Sequence, residues 1–393
     1  MELHFQTLTL LLLIAAVVAM LTRRLRLPYS VGLVTAGIIL AFVPFAPNIQ
    51  LTKDLIFTTL LPPLLFEAAY SIPWKQLRQN YSVIVVLATL GVLLSACVTS
   101  IGMHYLANWQ WISALVFGVL IAATDPVSVV AIFKEAKVQG RLLVLIEAES
   151  LLNDGTAAVA FGVVLALAAG QLLTPLAITA MLLKTIAGGV LCGASVAFGA
   201  LLLAGRTDDH LVEITFTTVA AYGSFLLADH FGLSGVLATI TAGFVMGNFK
   251  LLDAISERSK DAVHAFWEYA AFIANSLVFL LIGMHETRQN FVAIWLPAVI
   301  AIILVTLGRA AAIYPCCFLF SRSSLRVAGN HQHALFWGGL RGAVALALAL
   351  GLPPDIPLRE EIIAVSFAVV AFSVFVQGLT MVPFLRKMGE IPR

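Results

Sequence analysis

Four polar side chains stand within six residues in the stretch Glu149-Ser-Leu-Leu-Asn-Asp154. They offer two carboxylates, an amide and a hydroxyl. Hard oxygen groups of this kind suit a small cation, and a carboxylate among them can take a proton instead. The chain on either side, RLLVLIEA before and VVLALAAG after, is almost wholly apolar. Three more ionisable residues keep similar company: Glu67 in LLPPLLFEAAY, Asp125 in FGVLIAATDPVSVVAIF and Arg341 in FWGGLRGAVALALAL.

The whole chain shares that apolar character. Of its 393 residues 61% are hydrophobic and only 11% charged, against roughly a quarter charged in a soluble domain. Apolar runs recur from end to end, as in an all-α polytopic membrane protein whose first partner is lipid. The net charge of +2 is too small to suggest nucleic acid. No polar stretch is long enough for a separate soluble regulatory domain. The start, MELHFQ, lacks the positive residues of a cleaved leader; these come later, in TRRLR. Cys97, Cys192, Cys316 and Cys317 fall in apolar runs and form no CxxC spacing.

A helix needs about 20 residues to cross the hydrocarbon. Turn and charge punctuation predicts spans at 7–22, 29–45, 54–72, 81–103, 111–133, 143–169, 176–204, 211–229, 232–248, 265–284, 291–314, 332–351 and 361–385, thirteen in all. With the N-terminus outside, the inner loops hold 17 of the 23 Lys and Arg, and the outer segments only Lys53, Arg288 and Arg359. Such a bias fits the positive-inside rule and places the C-terminus in the cytoplasm. Lys184, Arg309 and Arg341 fall within spans.

Charge at membrane depth marks a functional site by default. Pro62 and Pro63 precede Glu67 by about a turn and predict a bend there. Asp125 is near the middle of span five, where Pro126 removes a backbone donor and disfavours helix at the residue before it. Backbone broken at that depth is tolerated only inside protein or beside a wet cavity. Span six reaches full length only if it begins before Glu149, which makes ESLLND helix and not loop. Asp154 then shares a face with Ser150, and Asn153 shares one with Glu149, about 140° away. Arg309 is the candidate ion-pair partner of Glu149. Gly338, Gly339 and Gly342 around Arg341 permit a second break, in span twelve. A cation there offsets the negative ends of half-helices.

The broken spans, five and twelve, are seven apart, and an odd offset reverses orientation. Spans 1–6 and 8–13 therefore read as an inverted repeat with two interrupted crossing helices, the pattern of a secondary transporter. At these residues the chain resembles the first family of monovalent cation:proton antiporters, the NhaP-like and sodium/proton exchanger type. The stretches LLPPLLFEAAY, AATDPVSVVAIFKE, ESLLNDGTA, FWEYAAFIANSLVFLLIG and GGLRGAVALALAL carry the resemblance. It implies a cell-membrane homodimer with no cofactor, exchanging Na⁺ (or Li⁺ or K⁺) for H⁺. It implies an interface part, about 1–72 and 176–284, and a mobile core, about 81–169 and 291–385. By position, Asp154, with Asn153 before it, matches the ion- and proton-binding aspartate. Thr124, Asp125, Ser150 and Glu67 match groups that line or approach the ion. Glu149 with Arg309 matches a buried pair, and Arg341 the arginine of the second crossing. Asn-Asp in place of Asp-Asp resembles the electroneutral branch; a potassium/proton or an electrogenic antiporter is the nearest alternative. The chain stops eight residues after span thirteen, as in prokaryotic members that lack a regulatory tail.

Weaker signals point elsewhere. Gly232-Leu-Ser-Gly235 matches the GxSG string of intramembrane serine proteases, but that chemistry needs a histidine at membrane depth on a later span, and the sequence offers none. Ser234 reads as a helix-start residue. His331 and His333 form HxH, best read as a solvated loop. No filter string for a channel is present. Gly188, Gly189, Gly193 and Gly199 allow span seven a close helix contact, within the subunit or across a dimer.

Overall fold

The computed structural model describes residues 5–25, 27–43, 51–136, 138, 140–171, 174–206, 209–248, 257–286 and 294–391. His4, Arg26, Lys137, Lys250, Arg288 and Arg393, which entered the sequence reading, lie outside them. The described chain is helical with no strand. The first helices are α1 (Phe5–Leu25), α2 (Tyr29–Ala41) and α3 (Leu61–Ser71), the last entered through a π-helical stretch, Leu55–Leu60. Pro62 and Pro63 therefore open α3, where their missing donors cost nothing, and the irregular turn precedes them. A single rod follows: α4 (Trp74–Val86), a π-turn at Leu87–Gly91 and α5 (Val92–Leu106). Then come α6 (Trp111–Leu120), α7 (Pro126–Glu135), α8 (Arg141–Ala168), α9 (Pro175–Ala204), α10 (His210–His230), α11 (Gly235–Asn248), α12 (Glu257–Glu286) and α13 (Trp295–Leu319). The last are α14 (Gly329–Trp337), α15 (Ala343–Leu350), α16 (Arg359–Phe372), a π-turn at Ser373–Gly378 and α17 (Leu379–Met388).

Within the described residues each expected span falls on a helix or a pair of helices. Among the described residues eight stretches are long and apolar enough to cross a membrane: α1, the α4–α5 rod, α8, α9, α10, α12, α13 and the α16–α17 rod. Boundaries differ where charge ends the apolar run without ending the helix. The α4–α5 rod starts at Trp74, ahead of the expected 81, because Lys75 and Arg78 are exposed and sit on a solvated first turn. The chain breaks at 121–125, between α6 and α7, and at 338–342, between α14 and α15.

The helix contacts carry the inverted symmetry. α2 packs on α12 as α11 packs on α3; α1 packs on α2 and α12 as α10 packs on α11 and α3. α5 packs on α13, its own counterpart in the other half. An offset of seven spans exchanges each of these contacts with its mate. The helices also fall into two groups. α1–α3 and α9–α12 pack among themselves; so do α4–α8 and α13–α17. The groups meet along α8, which touches α3, α9 and α11, and also where α7, α15 and the end of α16 reach α2, α3, α12 and the π-helical stretch before α3.

The glycines of span seven resolve by position. A Cβ on Gly193 would lie 2.1 Å from the Ala238 carbonyl oxygen of α11, so the contact is within the subunit, whereas Gly199 faces open space. Gly193→Ala is expected to destabilise the protein in detergent by about 1–3 kcal/mol, since backbone and not a flexible side chain must move. Gly199→Ala is expected to be neutral or stabilising by up to about 1 kcal/mol, as alanine favours helix. Thermal unfolding of both variants checks this. Lys184 is exposed on α9.

Candidate ion site

Both breaks lie at one place. The N–H of Asp125 donates to the Leu340 carbonyl at 2.8 Å, stitching the two interrupted segments together through 215 residues of separation. A helix end leaves bare carbonyls, and here each break has an arginine for them. Arg341 Nη1 donates to the carbonyls of Ala122 (2.8 Å) and Ala123 (3.0 Å), just beyond α6. Arg309 donates to the Leu335 carbonyl in the last turn of α14, at 3.0 Å from Nη2 and 3.3 Å from Nε. Cations at the negative ends of two helices also offset their dipoles.

Asp125 serves the opposite end. Its Oδ1 accepts from the Val127 N–H at 3.0 Å and its Oδ2 from Ser128 Oγ at 2.5 Å, an N-terminal cap on α7. A Cβ on Gly342 would meet the Asp125 carboxylate at 2.7 Å, so only glycine lets the second break approach it. Both oxygens of Asp125 are thus engaged by the first turn of α7.

α8 runs unbroken past the crossing, which puts ESLLND in helix, as span length requires. Glu149, Ser150, Asn153 and Asp154 are all buried, at 0, 1, 2 and 1% exposure. Glu149 accepts a bidentate pair from Arg309, Nη1 to Oε1 at 2.7 Å and Nη2 to Oε2 at 2.9 Å. Asn153 Nδ2 donates to Glu149 Oε1 at 3.3 Å, as a shared helix face requires. It also reaches Thr124 Oγ1 at 3.3 Å, and Thr124 in turn donates to Ser150 at 3.1 Å. The two faces of ESLLND are therefore joined by Thr124, a link that helical angles alone do not show. The oxygens left over are Asp154 Oδ1 and Asn153 Oδ1, both buried without a hydrogen-bond partner.

Asp154, Thr124 and Asp125 line a cavity of about 20 Å³, closed by Leu61, Leu64 and Leu65 of α3 and by Gly342–Ala345. That volume admits about one water-sized particle. One turn further along α8, from Ala158 to Leu165, a second cavity of about 360 Å³ opens between the two helix groups. Lys53, Asp54 and Asp229 stand in its wall.

The chain matches the family described as sodium/hydrogen exchanger, transmembrane, over residues 10–387. It belongs to that family. The antiporter ApNhaP of Aphanothece halophytica is 39% identical over 93% of this chain and 70% of its own. The antiporter NhaH of Halobacillus aidingensis is 32% identical over 98% of each. The sodium/proton antiporter MjNhaP1 of Methanocaldococcus jannaschii has the same fold, with a TM-score of 0.75 over 97% of each chain at 21% identity.

Within this family member the expected residues divide. Asp154, Asn153, Thr124, Ser150 and Asp125 come together, with Arg341 behind them. Glu149 and Arg309 are paired one turn away. Glu67 stands apart from the small cavity: it is half-buried, and Ser71 Oγ donates to it at 3.4 Å. Arg141, at the start of α8, gave no signal as a site residue in the sequence. Its Nε donates to Asn80 Oδ1, and Nη1 and Nη2 to the Arg326 and Leu325 carbonyls, each at 2.7 Å. It ties α8 to α4 and to the loop after α13. Ser234 does start a helix, accepting from the Leu237 N–H at 3.2 Å. The HxH histidines turn to different partners, His331 to Glu390 at 3.5 Å and His333 to Tyr314 at 2.8 Å.

Proposed function

We propose that this membrane protein exchanges sodium or lithium for protons, one for one, with Asp154 as the carboxylate that takes either. One observation carries the reading: a fully buried aspartate, with a free oxygen, faces a space for one small particle at the crossing of two broken helices. A buried carboxylate left unneutralised is costly. A proton relieves that cost and so does a cation, and the cavity has room for one occupant. Competition between the two ligands then needs no further device. Asn153 Oδ1, Thr124 and nearby backbone carbonyls complete a hard oxygen set for the cation.

Thirteen crossings, with the N-terminus outside and the C-terminus in the cytoplasm of a bacterial inner membrane, fit the charge bias of the loops. In that orientation the wide cavity beside Ala158–Leu165 opens outward, so this conformation is the outward-facing one. The α4–α8 and α13–α17 group is the moving core, sliding along α8 against the α1–α3 and α9–α12 group, through which two copies form a homodimer.

If only Asp154 changes ligand, each half-cycle carries one positive charge on it, and membrane potential does not drive exchange. Vesicles with an imposed pH gradient test this. Sodium and lithium are expected to dissipate the gradient, at rates unchanged by a valinomycin-set potential. Net charge movement per cycle overturns the stoichiometry, and dissipation by potassium alone overturns the ion assignment.

A further inference from the structure

A third cavity, of about 10 Å³, reaches the second break at Gly339 and Arg341, and Asp154 is not among its lining residues. Its polar lining is Thr306, Arg309, Arg341, Ser373 and Gln377. Arg309 already directs its donors at Glu149 and Leu335. Arg341 does not: Nη1 holds the Ala122 and Ala123 carbonyls, while Nε is buried with no hydrogen-bond partner, on a side chain only 1% exposed. Ser373 and Gln377, 2 and 6% exposed, line the same cavity. They belong to the π-turn at the end of α16, where the helix widens. Such turns recur at functional positions.

A buried N–H on a guanidinium demands an acceptor. The space is close to the volume of one water probe, and a buried water needs two to four polar partners. Arg341 Nε, Ser373 and Gln377 supply three. We propose that one ordered water sits here, accepting from Arg341 Nε and held by Ser373 and Gln377. The π-turn of α16 is thereby a positioning element for the ion site. It fixes the arginine, which in turn fixes the carbonyls of Ala122 and Ala123 next to Thr124 and Asp125.

The role rests on the antiport reading above, but the water does not, and the tests separate them. In a density map fine enough to show ordered solvent, a peak is expected within hydrogen-bond distance of Arg341 Nε, Ser373 and Gln377. No peak, or a bromide replacing it, overturns the water. Gln377→Met keeps the length of the side chain and removes the amide; it is expected to raise the sodium KM about tenfold with kcat nearly unchanged. Ser373→Val and Ser373→Thr have the same shape and differ in the hydroxyl, so only the valine variant is expected to share the rise. Equal sodium KM in wild type and Gln377→Met, or in the two Ser373 variants, overturns the positioning role. Absence of sodium/proton exchange in the wild type itself sinks the antiport reading and leaves the water to be decided by the map.

Discussion

Asp154→Asn is expected to reduce sodium-driven proton movement to that of vesicles lacking the protein, while the protein still folds and inserts. The two halves of this expectation share one cause. Asp154 is 1% exposed and its Oδ1 has no donor. An ionised carboxylate held that way pays for desolvation without a local ion pair, so removing its charge at constant shape costs the fold nothing. A melting temperature in detergent equal to or above that of the wild type is the expected control. Transport, by contrast, needs a group with two ligand states. Asparagine cannot take a proton at any working pH, and its neutral oxygen does not offset the charge of a bare cation. Asp125 cannot substitute for it, since both its oxygens already cap α7. Retained exchange in a well-folded Asp154→Asn protein removes this residue from the centre of the site.

That residue was legible in the sequence for a simple reason. Span six is too short to cross unless ESLLND is helix, and length is a property a sequence states directly. The two breaks were legible too, because proline after Asp125 and glycines around Arg341 act on the backbone locally. Glu149 and Arg309 were a candidate pair because few other buried charges existed to choose from. What escaped is of another kind. The hydrogen bond from Asp125 to Leu340 and the hold of Arg341 on Ala122 and Ala123 join residues more than 200 positions apart. Neither has a period or a composition. The same holds for Thr124, which joins two faces of α8 that helical geometry separates. Its role depends on where a different, broken helix lays its last carbonyls. Glu67 is a different case. The resemblance sets it among groups that line or approach the ion, and in this structure α3 turns Leu61, Leu64 and Leu65 to the small cavity. The π-turns left no trace, since a widened turn uses the same apolar residues as a regular one.

Glu149 and Arg309 carry the second large effect, and it falls on folding. Replacing either one alone leaves its partner buried, charged and unmatched, at a cost of about 3–5 kcal/mol. Glu149→Leu and Arg309→Met are each expected to show that loss, as poor yield and a large drop in thermal stability. Combining them removes both charges together. The desolvation cost of the pair then disappears along with its attraction, so the double variant is expected to be more stable than either single one. It does not recover fully. Arg309 also donates twice to the Leu335 carbonyl at the end of α14, and methionine leaves that acceptor without a donor, a remaining cost of about 1–3 kcal/mol. Ion affinity follows a different rule. Glu149 does not line the small cavity, and Asn153 keeps its contact with Thr124 when Glu149 is gone. The sodium KM of the double variant is therefore expected to stay within about twofold of the wild type, since no group facing the ion has changed. A stable double variant with a strongly shifted sodium KM moves Glu149 from the scaffold into the ion site, because the loss then cannot come from an unmatched charge.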